Sequence, residues 1–503
     1  MKKQLKIVSY VYSVRIYTAL ISIFLIPYII KIVGYDSYGL VGFYAILMAC
    51  LNILDAGIGG VLARQAIVSR ESRQSFIEFT AVFNKVIKIF IFIGVSVSII
   101  GAIFAHQYSK TWLNTSLSDE EVQFCTLLMF CIFAVRYIQG PYRSILLSNE
   151  SQVAISTINF VYITLSQPVT LMFLLYFRQD IKFYFIVQFM AAAINTLLTV
   201  VYGEYIKKKI ALSLVDNNKL ESKISIKVIF LFALQLSTLS ILWIIVNQSD
   251  KLALTKFMQL SEYAKYSVAV SVSAIIFVIS DPLNQILLPR LTRSYTERNY
   301  ETYTKYFTYA YYFVCLCLVP LAIFLFFFSQ SLLLAWSGDY ELAASASRYL
   351  PWIFLGGVFG VFSNFCFLLR YSSGDLRNHT LVYLLFSVFV VPANIYIANK
   401  YHGVGTSIFF CISSATLFFS WSVYNFNKYF VSGLDFIVKL LIPVSLICCG
   451  YFSFINSLKI EPSDRLISFI VLFGIGFSGS VIVAFYIFLI RKKINIKLRL
   501  KNA

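Results

Sequence analysis

Long stretches without a single Asp, Glu, Lys or Arg alternate along this chain with short charged connections. The uncharged runs cover 16–30, 37–54, 89–109, 122–135, 151–177, 183–203, 228–249, 266–280, 306–338, 349–369, 380–399, 401–427, 440–458 and 466–490. A membrane-spanning helix needs about 20 mostly apolar residues. The pattern therefore predicts about fourteen helical spans, some shortened where a charge intrudes. No connection is long enough for a soluble domain. The longest polar one runs over 203–227 and carries Lys207, Lys208 and Lys209. The opening MKKQLK leads into an apolar stretch without a small-residue cleavage site, so it reads as a retained first helix.

Fourteen spans put both ends on one side. With the termini cytoplasmic, 30 Lys and Arg residues fall on that side and 11 on the other, while Arg136 lies within a span. Acidic residues divide 10 to 11, with Asp55 and Asp281 near span ends. Such a bias in Lys and Arg but not in acids orients membrane proteins.

Composition agrees with this pattern. The 503 residues are 59% hydrophobic and only 13% charged, with a mean hydropathy of +0.78. Soluble domains are about 25% charged, so a cytosolic enzyme, a disordered chain and a secreted disulfide scaffold are excluded. The net charge of +19 follows from basic cytoplasmic loops and calls for no nucleic-acid partner. All nine cysteines sit in apolar stretches without metal-ligand spacing and read as small hydrophobes.

Charged landmarks recur at an offset of 226 residues. Asp36 pairs with Glu262, Asp55 with Asp281, Arg64 with Arg290 and Glu71 with Glu297. The predicted helices 1–6 and 7–12 thus read as two copies of one unit. Six spans restore the starting side, so the copies run parallel, about an axis along the membrane normal. The expected division is an N-terminal lobe at 1–210, a second lobe at 224–430 and an appended helix pair at 436–491.

This repeat, with LNILDAGIGGVLARQ after helix 2 and NQSDKLALTKFMQLSEYAKY after helix 7, resembles the multidrug/oligosaccharidyl-lipid/polysaccharide (MOP) flippase superfamily. Within it the chain is most similar to the Wzx-type O-antigen and polysaccharide repeat-unit flippases, over essentially its whole length. The resemblance implies an all-α fold of two six-helix lobes around a central cavity that opens to each side in turn. It also implies a glycan carried on undecaprenyl pyrophosphate as substrate, in the bacterial cytoplasmic membrane.

Arg136 is the most informative charge. It follows an uncharged run and precedes Gln139-Gly140-Pro141. An Arg at mid-bilayer costs about 2.5–3.5 kcal/mol on insertion scales. It either snorkels to the inner interface or faces a cavity, where its planar fork suits pyrophosphate or an acidic sugar. Asp250 and Lys251 have no charged counterparts in the first copy, where Phe24 and Leu25 stand. They are candidates for coupling to a proton or sodium ion; the alternative is an exposed ion pair closing helix 7. Asp55 with Arg64, and Asp281 with Arg290, are read as anchors at re-oriented helix ends or as an inner gate. Gly57, Gly59 and Gly60 should break the first copy, and Pro282 and Pro289 the second. Arg15 and Lys31 should bracket helix 1 at the two interfaces, and Asp119, Glu120 and Glu121 should form a solvated loop face.

No motif reads as an enzyme site, and no phosphate-cradling loop or cofactor site is present in the sequence. Three functions compete: a flippase for undecaprenyl-pyrophosphate-linked repeat units, a drug/cation antiporter of the same fold, and a membrane-embedded glycan polymerase or ligase. The antiporter would want carboxylates deep in its cavity, whereas the deepest charge here is a cation. The polymerase or ligase would want a long outer loop, and the outer loops are short.

Overall fold

The computed structural model of the chain describes residues 2–54, 58–177, 179–214, 226–459, 464–491 and 497–498. They are helical almost throughout, and by backbone contacts the chain divides into two compact units, Met1–Ala264 and Lys265–Ala503.

In the first unit, α1 (Lys2–Phe24) and α2 (Ile26–Val33) form one bent span. Leu25 interrupts the helix, and Pro27 falls in the first turn of α2, where its missing N–H breaks no intrahelical bond. Then come α3 (Tyr35–Leu54), α4 (Ile58–Val68), the long α5 (Arg73–Gln107) and the short α6 (Ser109–Trp112). A capping box starts α7 (Asp119–Ile138): Ser118 accepts from the Glu121 backbone N–H, and the Glu121 carboxylate accepts from Ser118. After a turn at Gln139, α8 (Gly140–Ser148) continues the same span.

Next, α9 (Gln152–Thr164) passes through a π-helical turn at Leu165–Val169 into α10 (Thr170–Tyr176), followed by α11 (Ile181–Ser213) and α12 (Ile226–Phe257). Pro168 lies in that turn, and a wide turn leaves carbonyls without their usual donors. Buried Gln188 on α11 supplies one, donating to the Ser166 carbonyl at 2.6 Å. Two Tyr–Thr hydrogen bonds one heptad apart join α1 to α9: Tyr10 to Thr157 at 2.9 Å and Tyr17 to Thr164 at 3.1 Å.

A cluster of Leu62, Phe76, Phe79, Phe83, Tyr142, Ile145 and Ile206 packs α4, α5, α8 and α11 together. Lipid tails are as apolar as these side chains, so close packing rather than escape from water holds such helices. The start of α13 (Leu260–Ser273) lies against α3, and a side chain at Gly39 would collide with Leu260.

Most of α13 belongs to the second unit, with α14 (Ile275–Thr296), the 38-residue α15 (Tyr300–Ser337), α16 (Tyr340–Ala346), α17 (Leu350–Ser372) and α18 (Arg377–Tyr429). At 53 residues, α18 would extend about 80 Å as one straight helix, more than twice the bilayer core. It is two helices separated at His402, whose φ of 51° and ψ of −147° are not helical. Then come β1 (Phe430–Val431), α19 (Ile442–Ser457), α20 (Arg465–Ile490) and β2 (Lys497–Leu498), β1 and β2 pairing antiparallel. Buried Phe307, Tyr311, Phe365, Phe426 and Phe436 meet in an aromatic core that gathers α15, α17, the end of α18 and the turn before α19.

Eleven helices among the described residues are long and apolar enough to cross a membrane. The split at His402 makes two passes of one of them. The helices α3 and α12 stand where the sequence pattern placed spans 2 and 7. Large apolar side chains such as Phe92, Leu197, Phe389 and Phe473 point outward, fully compatible with lipid around the protein.

Two local expectations are corrected. Pro282 and Pro289 do not break the chain: α14 runs through both, and the irregular residue is Ala274, between α13 and α14. Each proline removes one donor, but an open turn in lipid would strand several more groups. Asp119, Glu120 and Glu121 form no loop; they occupy the first turn of α7, where carboxylates suit the helix dipole.

Candidate functional site

Arg136 lies well inside the 30-residue span Asp119–Ser148, because the helix resumes after Gln139. It stands about 25 Å along the helix from Asp119 and about 18 Å from Ser148. Its side chain is half-buried in the first unit. Nη1 donates to the Tyr162 hydroxyl of α9 at 3.2 Å and touches the Met48 sulfur of α3 at 3.7 Å. The guanidinium carbon sits 4.8 Å from the centre of the Tyr162 ring, a cation–π contact. Buried Tyr44 of α3 is close enough to interact electrostatically with both. The buried Nε has no hydrogen-bond partner among the described residues. Arg136 is thus held by a phenol and a thioether rather than a carboxylate, with one donor edge unused.

Asp250 is 1% exposed and lies within α12, seven residues before its end. Lys251 Nζ is 3.1 Å from each of its carboxylate oxygens and also donates to the Asn247 carbonyl at 2.7 Å. The exposed pair at a helix end is therefore corrected: the carboxylate is buried and the helix continues past it.

The remaining sequence candidates are dispersed. Asp55 lies outside the described residues. Arg64 is exposed on α4, and Asp281 and Arg290 are exposed on α14. On a continuous helix, nine residues place Asp281 and Arg290 about 13.5 Å apart and on opposite faces. Arg290 instead stacks over Tyr306 at 5.6 Å. Several intramembrane amides join helices: Gln188 as described, and Asn364 to Asn284 at 2.7 Å.

Two buried charges among the described residues were missed in the sequence: Lys265, 5% exposed and paired with Glu341 at 2.7 Å, and Arg370. Arg370, at the end of α17, is 0% exposed. It is ion-paired with Asp375, donates to Asn425 at 2.7 Å and lies 5.1 Å from the Trp421 ring. Lys428 reaches the same carboxylate at 3.3 Å. Arg370 closes the uncharged run 349–369 as Arg136 closes 122–135, so the same signal would have found it. Among the described residues, no group of three or more His, Cys, Asp or Glu could hold a metal ion.

Among the described residues, a helical membrane-type fold thus holds a cation without a carboxylate partner inside a span and a buried Asp250–Lys251 pair. The chain belongs to the polysaccharide biosynthesis protein family, whose sequence model matches residues 5–295, within the MOP flippase superfamily. The MatE model matches residues 240–396. These families are transporters and flippases, not enzymes.

Among solved structures, the inward closed conformation of the lipid II flippase MurJ superposes with a TM-score of 0.68 at 12% identity, covering 96% of this chain and 99% of that one. An inward-facing multidrug resistance MATE family transporter gives 0.58 at 13% identity, covering 82% and 98%. A MOP superfamily transporter from Pyrococcus furiosus gives 0.54 at 16% identity, covering 84% and 95%. At these identities the likeness is one of fold. A search of curated proteins finds no match to the sequence.

Proposed function

We propose that this protein flips undecaprenyl-pyrophosphate-linked oligosaccharide repeat units, O-antigen or another polysaccharide, from the cytoplasmic to the outer leaflet of the bacterial inner membrane. It works by alternating access between two six-helix lobes, 1–210 and 224–430, with 436–491 appended. Both termini are cytoplasmic. The observation that carries this reading is Arg136: an intramembrane cation whose contacts are Tyr162 and Met48, with Nε unused. Such a group attracts an anion and repels a cationic drug. Pyrophosphate oxygens can take the free edge of the fork, while Tyr162 holds the other side in place. Asp250 with Lys251 is the coupling pair, since a buried carboxylate beside an ammonium can exchange a proton or sodium ion as its surroundings open and close. Asp281, Arg290, Asp55 and Arg64 serve as anchors near the cytoplasmic interface.

The test is a deletion strain. Repeat units linked to the polyprenyl carrier should accumulate on the inner leaflet, and a plasmid copy should restore surface glycan. Normal surface glycan together with altered drug susceptibility would favour the antiporter instead. Accumulation on the outer leaflet would point to a block in polymerisation or ligation.

A further inference from the structure

We infer that a groove between α15 and α20 in the second unit binds an anionic glycerophospholipid, with its phosphate at Lys305 and Arg491. The groove encloses about 740 Å³, within the size of small-ligand sites. Its wall on α15 is built from two rows at helical spacing, Thr304–Thr308–Tyr312–Leu316 beside Lys305–Tyr309–Phe313. That is about 18 Å of helix. The facing wall on α20 is Ala484, Ile487 and Phe488, with Arg491 just past the helix end.

The chemistry of the groove is graded. Both cations stand at one end, together with the hydroxyls of Thr304 and Thr308. The other end is apolar. The Arg491 guanidinium lies 4.2 Å over the Phe488 ring, which holds the charge at the rim. Lys305 pairs with Glu301 at 2.7 Å, but both side chains are well exposed, so the pair is weak and a phosphate can replace it. Tyr309 and Phe488 are 66% and 56% exposed, leaving the groove open sideways at membrane depth. A helix seated there would want small residues on its neighbours for close backbone approach. Here the bulk of Tyr309, Tyr312, Phe313 and Phe488 holds a helix backbone off and suits acyl chains instead. The charged end is the one that the Lys and Arg bias assigns to the cytoplasm, where anionic lipid headgroups meet basic side chains. The site is separate from Arg136, and the inference holds whatever is transported.

Native mass spectrometry of the purified full chain tests it with two probes, dioleoylphosphatidylglycerol and dioleoylphosphatidylethanolamine. The wild type should retain the anionic lipid about fivefold to thirtyfold better, the effect of one or two interfacial cations. Lys305→Gln with Arg491→Gln should abolish the preference. Ala484→Trp, which fills the groove, should reduce retention of both lipids. Both variants alter surface positions, and unchanged size-exclusion profiles establish that they fold. Equal retention of the two lipids by the wild type, or an undiminished preference in the double variant, would overturn the inference. So would displacement by inorganic phosphate, which would mark a free-anion site, or by equimolar undecaprenyl pyrophosphate, which would mark a place for the carrier.

Discussion

Arg136 donates to the Tyr162 hydroxyl at 3.2 Å while its guanidinium lies 4.8 Å from the centre of the same ring. One aromatic side chain thus satisfies one nitrogen and shields the charge, and Nε remains unpaired among the described residues. This arrangement makes the guanidinium geometry, and not the charge alone, the feature to test. Arg136→Ala should abolish surface glycan at normal protein level. Arg136→Lys should restore it only in part, because an ammonium keeps the charge but loses the planar fork. Surface glycan at matched expression separates the readings: a Lys variant as good as wild type means a snorkelling cation, and full export by the Ala variant removes Arg136 from the site.

The Asp250–Lys251 pair calls for a double variant. Removing one partner of a buried pair costs on the order of 3–5 kcal/mol, because the other charge is left unpaired. Asp250→Asn alone should therefore lower both the protein level and export. Combining it with Lys251→Gln should restore the protein level. If Asp250 couples transport to an ion, export stays low in the double variant; if the pair is structural, export returns with the protein. Asp250→Glu should retain more activity than Asp250→Asn.

Arg370 should behave differently. Its contacts to Asp375, Asn425 and Trp421 tie the end of α17 to α18. Arg370→Leu should destabilise the protein by about 3 kcal/mol, the low end for a buried pair, since Asp375 keeps part of its side chain in solvent. A lower Tm for the purified protein is the expected result. An unchanged Tm with lost export would move Arg370 from the frame into the transport path.

Orientation can be checked directly. On a cysteine-free background, a cysteine at Lys208 should react with an impermeant maleimide only after the membrane is opened. The pairing of β1 with β2 places the chain after α18 and the chain after α20 on one side of the membrane. A cysteine introduced at Ser432 should then show the same protection as one at Lys208. Labelling of either from outside in intact cells would refute the orientation.

The spans were legible in the sequence because a membrane helix is specified by one coarse quantity, about 20 residues without charge. The Lys and Arg bias is equally coarse. Both follow from the free energy of moving side chains and peptide groups into lipid, which depends little on what each helix touches. Arg136 was visible for the same reason: a charge inside such a run is costly wherever it points. What it points at was not visible. Tyr162 and Met48 come from helices 26 residues ahead and 88 behind, and nothing in the apolar code distinguishes a tyrosine facing lipid from one facing a guanidinium. Pro282 and Pro289 misled because their effect depends on surroundings: in water they would end a helix, but in lipid the helix continues. The burial of Asp250 and the enclosure of Arg370 were likewise decided by the tertiary structure alone. Each depends on which helix faces are brought together, and that is set by side-chain packing between helices rather than by the hydrophobicity of any one of them.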